Sequence, residues 1–531
     1  EIGHAIQRTA GPLTQTVTLS YELDAAQEGL TRTLTTTGEL DYWWLVRDTA
    51  GESVRAGGTV TMGPALQAMV AALGPRLPSI NHTWSISESK HFRFHYVTDT
   101  AAARDLNQLG RLAEATLQRT SNLLGAEFDA QMSIYLIPRI FWQGGAAYSG
   151  KVQLISYLDR NYTAIETWSY FAHEGTHALA QDLLQSKEDG GGPDGVLVEG
   201  LAVWASDGHY RQEPIDAWAA VVADSDDYIP LSELRAGPFY DFQHETSYLE
   251  GASFVKFLVA QYTLGKFKEL YGLATGEEEY DEALVEDLYG KGYATLEEDW
   301  LAYLDGLSPA PEQAESWHLK VRAFDLMRRY QTDLDADARV LPDTSPPEWT
   351  TDTLKIFLHR LNAPTNVVLE TTLMEAQERL RNGDLSGAAG LLDDIEAALD
   401  AGGSLDRPTL WARQAILDLV AEQDRAVLRA DLDGYLNTLD PDYARRVGAE
   451  VKEALQAPYT AYWQEVVRLS VNDDGLRAQG TVFLHSQLAG GMPPDQGTLY
   501  SLTFVTRNGH WLVGEREPVR PTLSLPPTRA N

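Results

Sequence analysis

The 531-residue sequence contains no cysteine. That excludes disulfides and thiolate metal sites. Basic residues are scarce, with 42 Lys and Arg against 77 Asp and Glu and a net charge of −35. A nucleic-acid binder needs a basic face to neutralise phosphate, and this composition argues against one. It equally disfavours docking on anionic lipid, so the acidic surface reads as a source of solubility. No apolar run reaches the about 18 residues that a membrane-spanning helix needs. The chain opens on Glu1 rather than Met. We read it as a processed or truncated form, consistent with a removed signal or lipid-anchor segment.

What is present is core-forming. Hydrophobic residues make up 44% and aromatic residues 10%, including 13 Trp. A chain of this length is expected to form roughly three or four domains.

One stretch carries chemistry: Phe171-Ala172-His173-Glu174-Gly175-Thr176-His177-Ala178-Leu179. Its surroundings, Thr163 to Leu184, hold no proline and one glycine, and are expected to be helical. Residues four apart share a helix face, so His173 and His177 project together and can hold one Zn²⁺. Glu174 follows roughly 100° further round, placed to reach a metal-bound water without taking a ligand position. Zinc brings that water toward a pKa of ~7, and a carboxylate base completes its activation for attack on a carbonyl. The alternative is an exposed histidine pair on an ordinary helix.

A third ligand is expected at Glu199, a lone acid in the apolar run Gly195-Val196-Leu197-Val198-Glu199-Gly200-Leu201-Ala202-Val203-Trp204. A carboxylate there is expensive to bury unless paired or metal-bound. Two helices joined by a turn through Gly190–Asp194 would bring it to the histidines. The competing reading is a helix-start Glu that favours the dipole.

His-Glu-Gly-Thr-His followed by Val-Glu-Gly-Leu-Ala resembles the gluzincin zinc metallopeptidases, and in detail the peptidase-MA-like group. The likeness covers about residues 82–306. It includes Trp84 and His91–Tyr96 as an opening strand, Gly144–Gly150 as an edge-strand segment, and Tyr248-Leu249-Glu250-Gly251 as a Y-x-x-G helix start. The resemblance implies a thermolysin-like zincin domain that cleaves peptide substrates. Its implied site is one Zn²⁺ on His173, His177 and Glu199, with Glu174 as general base and Tyr248 as oxyanion donor. It also implies an edge strand that pairs with extended substrate. The chain departs from the aminopeptidase branch, with Val198 before the glutamate and no G-x-M-E-N segment. Position 203 is Val, not the acid that orients a ligand histidine in thermolysin-like enzymes. Exopeptidase action is therefore not expected, and the partners of the ligands stay unassigned.

The expected organisation is multidomain α+β. Residues 1–80 read as a β-sandwich-like, immunoglobulin-like domain with strands at 14–21, 30–36 and 41–48, in which Trp43-Trp44 serve packing rather than carbohydrate binding. The catalytic unit spans 82–306, with strand 90–97, helix 100–124, strand 131–137 and an edge strand near 146–156. Gly145–Lys151 matches G-x-x-x-x-G-K, but strand-forming residues follow where a phosphate loop requires a helix, so we reject it. His244 lies close to Tyr248 in sequence and reads as a surface histidine. Residues 308–415 read as helical, with one hairpin from Met374–Arg381 and Ala388–Leu399. In 416–520 a helix over 416–439, a second after Pro441 and strands at 462–472, 476–487, 497–506 and 510–516 resemble an NTF2-like cone. Residues 521–531 complete the expected disordered tail that begins at Pro518. The functional expectation is a zinc endopeptidase, secreted or held at the cell envelope. The alternative is a catalytically silent scaffold that binds a wall polymer or partner.

Overall fold

The computed structural model describes residues 39–47, 53–61 and 82–526, excepting 150, 182, 184–191, 238, 340–345, 350–353, 355–356, 359–362, 490–494, 522 and 524. Within them the chain is a mixed α+β protein with three sheets. The first is an antiparallel hairpin of β1 (Glu39–Arg47) and β2 (Ser53–Thr61). It contains the strand expected from 41. The strands expected at 14–21 and 30–36, the side chains of Trp43 and Trp44, and Gly190 and Gly191 of the turn before Asp194 lie outside the described residues.

The second sheet is the platform of the site. Strands β3 (Trp84–Glu88), β4 (Phe92–Val97), β5 (Met132–Ile137), β6 (Gly145–Ser149) and β7 (Val152–Ser156) lie in the order β3-β4-β5-β7-β6. β4, β5 and β7 are parallel, and each outer strand is antiparallel to its neighbour. Helix α1 (Ala101–Leu124) makes the long connection that a parallel pair requires. Period-two alternation sends Ile134 and Leu136 into the main core with Phe94, Leu109 and Leu117, and Tyr135 and Ile137 to the other face with Trp349 and Phe357. The single edge strand expected near 146–156 is a hairpin, in which β6 alone is the edge and β7 is internal. No helix follows Gly145–Ser149, in keeping with rejection of a phosphate loop.

Helices then wrap one face: α2 (Thr167–Gln181), α3 (Gly195–Ala205), α4 (Ile215–Ala223), α5 (Leu231–Ala236), α6 (His244–Tyr262), α7 (Leu264–Leu273), α8 (Glu278–Tyr289), α9 (Tyr293–Asp305) and α10 (Pro311–Asp333). α3 and α6 cross at two glycines. A Cβ on Gly200 would lie 2.4 Å from the Gly251 carbonyl oxygen, so the approach is open to glycine alone. The main core continues past residue 306. Trp317 of α10 is buried in the same core as Leu201 and Phe254, because α10 packs directly on α4 and α6.

The remaining helices are α11 (Pro364–Arg381), α12 (Leu385–Asp400), α13 (Pro408–Leu428), α14 (Leu432–Asn437) and α15 (Pro441–Ala454). The hairpin α11–α12 turns at Gly383, φ 79°, and Asp384 caps α12 by accepting from the Gly387 N–H. The boundary expected at 415/416 falls inside α13. The one helix expected over 416–439 is two, because Ala430 is left-handed (φ 52°) and Asp431 accepts from Gly434 N–H to start α14. Strands β8 (Tyr459–Val471), β9 (Arg477–Leu488), β10 (Asp495–Arg507) and β11 (His510–Val519) form an antiparallel meander that packs on α13. Past β11 the chain is not a free tail throughout. Gln108 of α1 donates to the Pro521 carbonyl at 3.2 Å and accepts from Leu523 N–H at 3.3 Å, and Leu523 packs on the main core. No described helix is long and apolar enough to cross a membrane.

Candidate metal centre

α2 is buried on most of its circumference, with Trp168, Phe171 and Leu179 in the main core. Its remaining face carries the two histidines. Asp194 fixes the start of α3 by accepting from Leu197 N–H at 3.1 Å while pairing with Arg235 at 2.9 Å. Glu199 therefore lies beyond the first turn, and the helix-dipole reading of this residue does not hold.

The three predicted ligands converge. His173 Nε2 and His177 Nε2 are 3.2 Å apart, and Glu199 Oε2 is 3.3 Å from the first and 3.5 Å from the second. Two ligand atoms each ~2.1 Å from a tetrahedrally bound ion lie about 3.4 Å from one another. The triangle matches one face of such a tetrahedron. Glu199 Oε2 is buried and has no hydrogen-bond partner, which is costly for a carboxylate unless a cation meets it. The donor set, two imidazoles and one carboxylate, suits zinc and borderline divalent ions generally.

Electrostatics point the same way. Burial pulls His177 down, but the Glu199 carboxylate outweighs it and holds the imidazole up at about 9. Burial raises Glu199, yet the His177 and His173 charges hold it well below the usual carboxylate range. The pocket demands positive charge, supplied by protons or by an ion.

Glu174 is buried on the same helix, and its Oε2 has no hydrogen-bond partner. Its carbonyl accepts from Gln153 Nε2 at 2.9 Å, which joins α2 to β7. Tyr170, one turn earlier, donates to the Leu154 carbonyl at 2.6 Å, and a Cβ at Gly145 would overlap its hydroxyl. Edge strand β6 is thereby pressed onto α2 beside Glu174.

Tyr248 is close to the ligands but buried, its ring stacked 4.3 Å from both His209 and His244 and 6.3 Å from His173. Burial, then the Glu199 charge, pushes its hydroxyl well above the ordinary value, so it stays protonated. A second hydroxyl, not anticipated from the sequence, is nearer the ligands. Tyr240 is 63% exposed and donates to Glu199 Oε1 at 2.8 Å. It lies in a single 3₁₀ turn, Phe239–Asp241, with no motif around it.

Beside this centre lies a second group of the same composition, His209, His244 and Glu245. His244, expected at the surface, is largely buried against Tyr248 and Phe324. Here a cation is built in. Lys320 Nζ sits 2.8 Å from Glu245 Oε2 and 2.9 Å from Glu213 Oε1. Burial pushes His209 down to about 3 despite the Glu245 charge, with His244 and Lys320 adding to the effect.

Compared with known protein families and with curated proteins, the chain matches no family model and no curated sequence.

Proposed function

We propose that the protein is a zinc-dependent endopeptidase of the gluzincin type. In this reading residues 82–306 together with α10 form the catalytic unit, the N-terminal strands belong to an immunoglobulin-like module and 416–520 to an NTF2-like one. The observation that carries it is the triangle of His173, His177 and Glu199 ligand atoms with an orphaned buried carboxylate oxygen. An ion held there supplies Lewis acidity and lowers the pKa of a water toward ~7.

The chain's own residues supply the rest. Glu174 takes the proton from the attacking water and returns it to the leaving amine. Tyr248, stacked beside His173, keeps a protonated hydroxyl for the developing oxyanion, while Tyr240 spends its single O–H on Glu199. One such donor is worth ~2.7–4 kcal/mol. The unpaired outer edge of β6 offers its backbone to an extended peptide. We propose that the protein is secreted or held at the cell envelope, because its N-terminal segment resembles the immunoglobulin-like modules that precede peptidase-MA-like domains in some exported proteins. A silent scaffold has no use for Glu174 beside the ligands.

Turnover of unstructured casein by the zinc-loaded chain tests this. Activity abolished by a chelator, and lost by about 10³-fold or more in Glu174→Gln with zinc retained, is expected for a general base acting with a metal. Glu174→Gln turning over casein at the wild-type rate would remove the mechanism.

A further inference from the structure

Immediately before β6 the chain holds a residue in an unfavourable conformation. Trp142 has φ 51°, a left-handed backbone that bulky side chains avoid at a cost of about 1–3 kcal/mol. It is held there from both sides. Its N–H donates to the Ala338 carbonyl at 2.8 Å, and its carbonyl accepts from Gln331 Nε2 at 2.5 Å. The ring so presented is 38% exposed.

Two guanidinium groups flank that ring. Arg328 Cζ of α10 lies 4.7 Å from its centroid and Arg339 Cζ, in the 3₁₀ turn Ala336–Arg339, 5.7 Å. Neither forms an ion pair among the described residues. Arg328 donates to Gln331 Oε1 and Arg339 to Thr332 Oγ1. This is unusual on α10, where Arg322 pairs with Asp393 and Glu396, and Arg329 with Asp333 and Asp400. In a chain with 77 acids and 42 basic residues, these two cations, unpaired among the described residues, lie on one ring. Like charges side by side, with no anion paired to either among the described residues, point to an anion from outside.

The position fits a substrate subsite. Gln143 follows Trp142 and reaches His244 Nε2 at 3.0 Å, after which Gly144 leads into β6. From Arg328 a continuous stack runs through Phe324, His244 and Tyr248 to His173, each step 6.3 Å or less. That path is within reach of about six residues of extended peptide at ~3.3 Å each.

We propose that Arg328, Arg339 and Trp142 form a carboxylate-binding subsite at the head of β6, which selects peptide substrates carrying an acidic group several residues from the cleaved bond. This rests on the peptidase reading for cleavage, though not for binding. The carboxylate belongs to an Asp or Glu side chain or to the peptide's C-terminus.

The test uses internally quenched peptides in matched Glu and Gln pairs, each with an amidated or a free C-terminus. Cleavage is followed with the zinc-loaded chain. Binding of the same sequences is measured by fluorescence anisotropy with Glu174→Gln at low and high salt. An about tenfold preference for the carboxylate form, weakened by salt and falling toward parity in Arg339→Gln but not in the neighbouring Arg329→Gln, is expected. Preference among amidated peptides assigns a side chain, and preference for free termini alone assigns the C-terminus. If no peptide is cleaved but the acidic ones bind in an Arg339-dependent way, the subsite stands and the hydrolytic reading falls. Equal binding of acidic and neutral peptides, or a preference that survives Arg339→Gln, overturns the proposal.

Discussion

Two groups of two histidines and one glutamate sit side by side in this protein, and they solve the same electrostatic problem differently. In one, Glu245 is fully buried and Lys320 supplies the compensating charge from a side chain on α10. In the other, Glu199 faces two imidazoles, with no lysine or arginine paired to it among the described residues. Composition alone does not make a metal site. What distinguishes the two is whether the fold already contains the cation.

The largest separation between them is expected in metal binding. His177→Ala should abolish zinc retention, while His209→Ala should leave one zinc per chain, read by elemental analysis after dialysis. Zinc lost equally in both would erase the distinction.

Stability separates them in the opposite sense. Lys320→Met leaves Glu213 and Glu245 as buried, uncompensated charges and should destabilise by about 3–5 kcal/mol. It is measured by denaturant unfolding of the metal-free chain. A loss under 1 kcal/mol would mean that the built-in cation is dispensable.

Tyr240→Phe probes the open group more gently. Losing a hydrogen bond to a ligand carboxylate is expected to weaken zinc affinity by about 10–100-fold in competition with a chelating dye. Unchanged affinity would mean that Tyr240 does not orient Glu199.

The smallest effect is in pH dependence, and its sign differs between the groups. His177 is raised in the fold, so in the metal-free chain its stability is present below about pH 6.5 and lost as pH rises toward about 9. His209 is depressed, so its stability is present above about pH 6.5 and lost as pH falls toward about 3. Melting curves of His177→Gln should be flatter on the alkaline side, and those of His209→Gln flatter on the acid side. The same limb flattened in both would contradict the assignment.

The open group was legible in the sequence because its determinants are local. Four-residue spacing fixes His173 and His177 on one face, and Glu199 is conspicuous as a single acid in an apolar helix. Tyr240 and Lys320 were not legible. Each acts across a separation, 41 residues to Glu199 and 75 to Glu245, that no periodicity encodes. Gly200 and Gly251 were visible as motif letters, but their purpose, a crossing too close for a Cβ, appears only once α3 and α6 are packed. The apolar pattern continues through the break at Ala430 and hides it. Asp431, a capping residue in plain sight, was the available sign. Trp142 gave no sign, since a left-handed tryptophan is set by its neighbours and not by its own preference.

We propose that this chain holds one catalytic ion at His173, His177 and Glu199 and none at His209, His244 and Glu245. Elemental analysis of the purified protein after dialysis against zinc tests it most directly, beside the His177→Ala variant. About one zinc per chain is expected in the wild type and none in the variant. No zinc in the wild type, or the same zinc content in both, would contradict it.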